Sequence, residues 1–159
     1  MNGFDVDRDT VTPMAWSDAF LLGYAAMDET HREFVACVAA LQTASDDDIA
    51  HRLAEFERHA RRHFDDEQKW MDRTAFPAAQ CHAEEHAAVL NSVQEVTTLL
   101  TLGANPQVAR DLADALAKWF PGHADYMDAA LSHWLSKHMH GGAPVVVRRN
   151  VTRQPSPGG

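Results

Sequence analysis

From Ala25 to Met139, apolar residues recur at steps of three and four, the spacing of one face of an α-helix. Phe34, Val38 and Leu41 mark the first such stretch. Ile49, Leu53, Phe56, Ala60 and Phe64 mark the second, behind an N-cap signal at Ser45 or Asp46 with acids in the first turn. Pro77 breaks the pattern, and a third stretch runs from Cys81 to a stop at Gly103. A fourth opens with Asn105 as N-cap and Pro106 at the first helical position. Pro121-Gly122 falls inside it; a proline there removes a backbone hydrogen bond, so a bend is expected. No alternating strand pattern and no internal repeat occurs. Helices of about 20 to 30 residues with short connections predict an all-α fold, an antiparallel up-down-up-down four-helix bundle. Residues 1–24 read as an N-terminal arm, 25–139 as the bundle, and 140–159, rich in glycine and proline, as a flexible tail.

The length, 159 residues, fits one domain with a real core. A formal net charge of −9 argues against nucleic acid or an anionic membrane surface as partner. No apolar run approaches the roughly 18 residues of a membrane span, so no membrane insertion is expected. The first residues lack a basic stretch followed by an apolar one, so no signal peptide is expected. Cys37 and Cys81 make no disulfide framework, and a reducing, cytoplasmic setting is expected.

The chain carries ten histidines, and their placement matters more than the charge total. The first helix offers Asp28 and His31. The second offers His59, His63 and Glu67 at successive steps of four; the third offers His82 and His86; the fourth offers His123, with Asp125 and Asp128 after it. Side chains four apart share a helix face, so two such imidazoles can bind one ion. A lone helical histidine is more often a solvated or hydrogen-bonded residue than a ligand. Here every helix carries one on or beside its apolar stripe, which favours a shared interior site. Imidazole and carboxylate without thiolate suit iron, copper, nickel or zinc. Five histidines and two carboxylates exceed one tetrahedral zinc and fit two ions bridged by carboxylates. Spacing leaves two choices open. His59 and His63 differ by only about 40° around the helix axis. Asp128 and Asp125 stand about 140° and 200° from His123 on an ideal helix, so neither shares its face.

Four pieces, in order and at fixed spacing, carry a resemblance: Trp16, Gly23 and Met27 to His31; His63, Phe64, Glu67 and Met71; His82 and His86; Trp119, His123 and Asp128. Over about residues 14–135 the chain resembles the bacterial hemerythrins, a family of di-iron four-helix bundles. The resemblance implies two non-haem iron ions and reversible dioxygen binding for storage, delivery or scavenging, without enzymatic turnover. It assigns His82, His86 and His123 to one iron, and His31 and His63 to the other, which keeps an open position. Glu67 and Asp128 bridge the two, together with a solvent-derived oxygen. It selects His63 over His59 and Asp128 over Asp125; His59 then reads as a partly exposed residue near Glu55. Phe34, Phe64 and Trp119 are the expected walls of a dry oxygen pocket, and Trp70 and Met71 plain core. The absence of any Glu-x-x-His motif, and the small number of carboxylates, favour a carrier over a ferritin-like oxidant. One departure stands out. The family often has a larger apolar residue after the last histidine, where this chain has Ala124 and then Asp125, which predicts a smaller or wetter pocket. That departure motivates a di-iron enzyme acting on peroxide or nitric oxide as an alternative. Arg148, Arg149 and Arg153 in the tail motivate another, an oxygen or redox sensor or interaction module.

Overall fold

Residues 12–139 are described, from a computed structural model. The expectations for residues 1–11 of the arm and for the tail with its arginines fall outside that range. The helices are α1 (Ala25–Gln42), α2 (Ile49–Thr74), α3 (Ala79–Thr101), α4 (Gln107–His123) and α5 (Ala129–His138). A π-helical turn, Ala124–Asp128, joins α4 to α5, so the two form one long fourth rod. No strand occurs among the described residues. α1 packs on α2 and α4, α2 on α3, and α3 on α4, which closes a ring of four rods. The connections at residues 43–48, 75–78 and 102–106 are too short to cross the bundle, so neighbours run antiparallel.

Local chemistry explains the joints. α2 starts at Ile49 rather than at Ser45 or Asp46, because the acidic run first makes a separate turn, Asp48 N–H to Ser45 O. Buried Arg110 of α4 holds that loop, bonding Ala44 O at 3.0 Å and the Asp46 carboxylate. α2 ends with Ala75 in the left-handed region at φ 52°. Asn105 caps α4 by accepting from Gln107 N–H at 2.9 Å. Before α1, a short 3-10 turn at Asp18–Phe20 breaks the irregular stretch that the sequence suggested. Asp28, buried in α1, accepts from Leu22 N–H and Gly23 N–H at 2.8 and 3.0 Å, and so pins the arm.

The interior is layered. One apolar cluster holds Phe34, Val38, Leu53, Phe56, Val93 and Phe120 among others. A smaller one at the far end holds Met27, Met71, Phe76, Leu131 and Leu135. On each rod the site histidines and carboxylates lie near the junction of these two sets in sequence, His63 and His123 each just before a residue of the larger cluster. A polar layer is therefore held inside an apolar bundle.

Candidate metal centre

The stripe that buries each helix also carries the polar residues. On α2 the buried positions include Ile49, Leu53, Phe56, Ala60, His63, Glu67 and Met71, at steps of three and four throughout. His63 and Glu67 thus occupy core positions, while Arg61, Arg62, Asp65, Asp66 and Lys69 face solvent. His31 of α1, and His82 and His86 of α3, sit on their own buried stripes.

The fourth rod departs from this rule. Its buried stripe includes Leu116, Phe120, His123, Ala124, Asp128, Leu131 and Leu135, and on it His123 and Asp128 stand five apart. The π-helical turn absorbs that step, with Ala129 N–H bonding Ala124 O. In a π-turn the residue five along lies one turn on, as the fourth does in an α-helix. His123 and Asp128 therefore come onto one face, with Nε2 and Oδ1 3.2 Å apart. α4 runs through Pro121, and the helical irregularity, the π-turn, begins three residues later. Asp125 is exposed and outside the site, and Ala124 is fully buried. The wetter pocket that Asp125 suggested does not arise from its side chain.

Seven side chains converge: His31, His63, Glu67, His82, His86, His123 and Asp128, each at most 5% exposed. All five histidines face inward through Nε2. Both carboxylates divide their oxygens between the same two groups. Glu67 Oε2 lies 3.0 Å from His82 and 3.2 Å from His86, while Oε1 lies 2.9 Å from His63 and 4.0 Å from His31. Asp128 Oδ1 lies 3.0 Å from His82 and 3.2 Å from His123, while Oδ2 lies 3.1 Å from His31. His86 and His123 approach at 3.3 Å between their Nε2 atoms. Two groups able to hold an ion result, one of Glu67, His82, His86, His123 and Asp128, the other of His31, His63 and Glu67.

These distances fit metal ligation. Two atoms each about 2.1 Å from a shared ion and at right angles stand about 3 Å apart. The fit also shows in what protein partners leave undone: Glu67 Oε1, both Asp128 oxygens and His31 Nε2 are buried without a hydrogen bond. Buried carboxylates are costly unless paired or coordinated. The protons respond to the same crowding. Burial opposes the charge of His82, but the Asp128 and Glu67 carboxylates beside it win and push it up to about 9. Burial also opposes charge on His63, and the Glu67 carboxylate raises it nonetheless. Glu67 and Asp128 are held well below the usual carboxylate range despite burial, chiefly by His63 and by His123 respectively. His86 is pushed down by burial.

The aromatic residues fall on different sides of the site. Phe34 stacks on Phe120 at 5.0 Å and lies 6.4 Å from His63, beside the two-histidine group. Phe120, which the sequence did not single out, meets the His31 ring edge-on at 5.2 Å. Phe64 stacks on His86 at 3.8 Å. Trp119 stacks on His123 at 4.3 Å and donates from Nε1 to Glu85. Met71 is fully buried core; Trp70 is half-buried and meets Tyr24 edge-on. His59 differs from expectation. It is 5% exposed, and its Nδ1 faces Glu33 at 3.5 Å, because Glu55 is taken up by His51 and Arg52. Its Nε2 is buried and unpartnered, its ring lies 6.0 Å from His63, and burial pulls it down to about 4. Glu85 also went unnoticed in the sequence: its Oε1 lies 3.2 Å from His123 Nδ1. The Glu-His pair at positions 85 and 86 was the available signal.

A four-helix bundle whose interior gathers five imidazoles around two shared carboxylates defines a metal-binding helical protein. The Hemerythrin HHE cation binding domain matches residues 22–135. A bacteriohemerythrin of Ralstonia nicotianae (strain ATCC BAA-1114 / GMI1000) is 36% identical over 122 residues, 77% of this chain and 88% of the relative. The chain belongs to the hemerythrin family.

Proposed function

We propose that this protein binds dioxygen reversibly at two non-haem iron ions held by His82, His86 and His123 on one side and His31 and His63 on the other. Glu67 and Asp128 would be shared between the two sides. The observation that carries the reading is the divided carboxylates: each sends one oxygen to the three-histidine group and the other to the two-histidine group. Iron held there would supply the redox chemistry that dioxygen binding needs. The protein's part is to bind, orient and keep water out. Phe34, Phe120 and Phe64 line the site with buried rings, and the His31–His63 side carries the smaller ligand set. Neutral imidazoles in excess over carboxylates leave charge less compensated than in carboxylate-rich sites, which favours carrying over oxidation. Of Ala124 and Asp125, whose departure from the family motivates an enzymatic reading, Ala124 is buried and Asp125 is exposed outside the site. We place the protein in the cytoplasm on the strength of its free thiols, Cys37 and Cys81. No helix among the described residues is long and apolar enough to cross a membrane.

The test is metal analysis of the chain loaded with ferrous iron without air. Iron near two per chain is expected. Glu67→Ala is expected to lose both ions and His63→Ala the ion on its side, while Asp125→Ala keeps both. Full iron in Glu67→Ala, or a wild-type chain without iron, refutes the assignment.

A further inference from the structure

Metal-bound histidines depend on what their second ring nitrogen meets. Among the five inward-facing imidazoles, the Nδ1 atoms of His31, His63 and His82 are buried without a hydrogen-bond partner. His123 differs from these three. Its Nδ1 lies 3.2 Å from Glu85 Oε1, and the same oxygen accepts from Trp119 Nε1–H at 3.0 Å. The Trp119 ring lies over the imidazole, centroids 4.3 Å apart and planes 24° apart. One edge and one face of His123 are therefore fixed, from α3 and from α4. Glu85 directly precedes His86, so the backbone that presents one histidine of the three-histidine group also clamps another.

We infer that Glu85, seated by Trp119, is a positioning residue for His123 that makes the three-histidine side of the metal centre the more electron-rich side. A carboxylate on Nδ1–H selects the tautomer with a free Nε2 lone pair. It also makes the imidazole a stronger donor toward a metal. Because no such carboxylate meets the outer nitrogens of His31 and His63, the two sides are built unequal. The iron held by His82, His86 and His123 is thereby the easier to oxidise. The inference rests on the iron reading above.

The experiment compares the iron-loaded full chain with Glu85→Gln, Glu85→Ala and Trp119→Phe, reading iron lost to a ferrous chelator and the midpoint potential. Glu85→Ala is expected to release iron about 10- to 100-fold more readily. Glu85→Gln still accepts from His123, so it keeps its iron, but its potential shifts upward because the charge is gone. Trp119→Phe keeps the stacking and removes one donor from Glu85, so its potential shifts downward. A merely structural Glu85 would move the melting temperature and leave the potential unmoved. Wild-type potential in Glu85→Gln with wild-type iron retention in Glu85→Ala overturns this inference alone. A wild-type chain that takes up no iron overturns both it and the function proposed above.

Discussion

Without metal, the seven central side chains hold one another through protons, and this makes stability depend on pH at identifiable residues. His82 titrates near 6.5 when unfolded and is pushed up to about 9 when folded. The folded state binds its proton more tightly. That contribution is fully present below about 6.5 and is lost as the pH rises through about 9. His59 runs the other way. Pulled down to about 4, it contributes stability present above about 6.5 and lost as the pH falls toward 4. Glu67 and Asp128, both depressed, contribute above the ordinary carboxylate range, and this too is lost in acid. The melting temperature of the metal-free protein is thus expected to be highest near pH 6.5 and to fall on both sides. Iron bound as proposed would displace the His82 proton, so the loaded protein is expected to lose the alkaline fall. Calorimetry between about pH 4 and 10 checks this; a metal-free protein as stable at the alkaline end as near neutrality contradicts it.

At the scale of helices, the π-turn is the element that completes the site. One extra residue lets His123 and Asp128 face the same way while Leu131 and Leu135 stay on the core side. Tyr126, in that turn, is 81% exposed. Deleting Tyr126 turns the step of five into a step of four, which an α-helix accommodates on one face. The deletion is therefore expected to fold, to lose the π-turn and to keep its iron. Deleting Lys118, within α4, rotates everything after it by about 100° against the apolar stripe and is expected to abolish the fold. Circular dichroism and iron content distinguish the two; loss of fold in the Tyr126 deletion contradicts the account. This is also where the sequence was hardest to read. Steps of three and four made the four rods legible, since burial selects that period. His31, His63, His82 and His86 were legible as interior because they fall on those stripes. Asp128 was not, because an ideal helix turns it about 140° from His123 and nothing local announces the inserted turn. It entered through resemblance alone. His59 misled for a related reason: helical phase shows that a residue lies near the core but not which partner its ring meets, and Glu33 comes from another helix.

Across the whole molecule, a polar layer is closed between two apolar clusters, with aromatic rings on both sides of the site. The larger cluster, the smaller one and the ring of four rods fix seven polar side chains that would otherwise be solvated. This arrangement buries the seven side chains in a preformed interior, the setting that the proposed oxygen binding requires. Glu85 escaped the sequence reading for the same reason: its half-buried carboxylate gains meaning only when α3 and α4 are packed together. The central claim is that these residues hold iron which takes up and releases dioxygen. The most direct measurement is the visible spectrum of the ferrous-loaded chain, first without air, then in air, then again under argon. A charge-transfer band that appears with oxygen and disappears under argon, through repeated cycles, is the predicted result. No band on exposure to air, or a band that persists under argon while the iron stays oxidised, contradicts it.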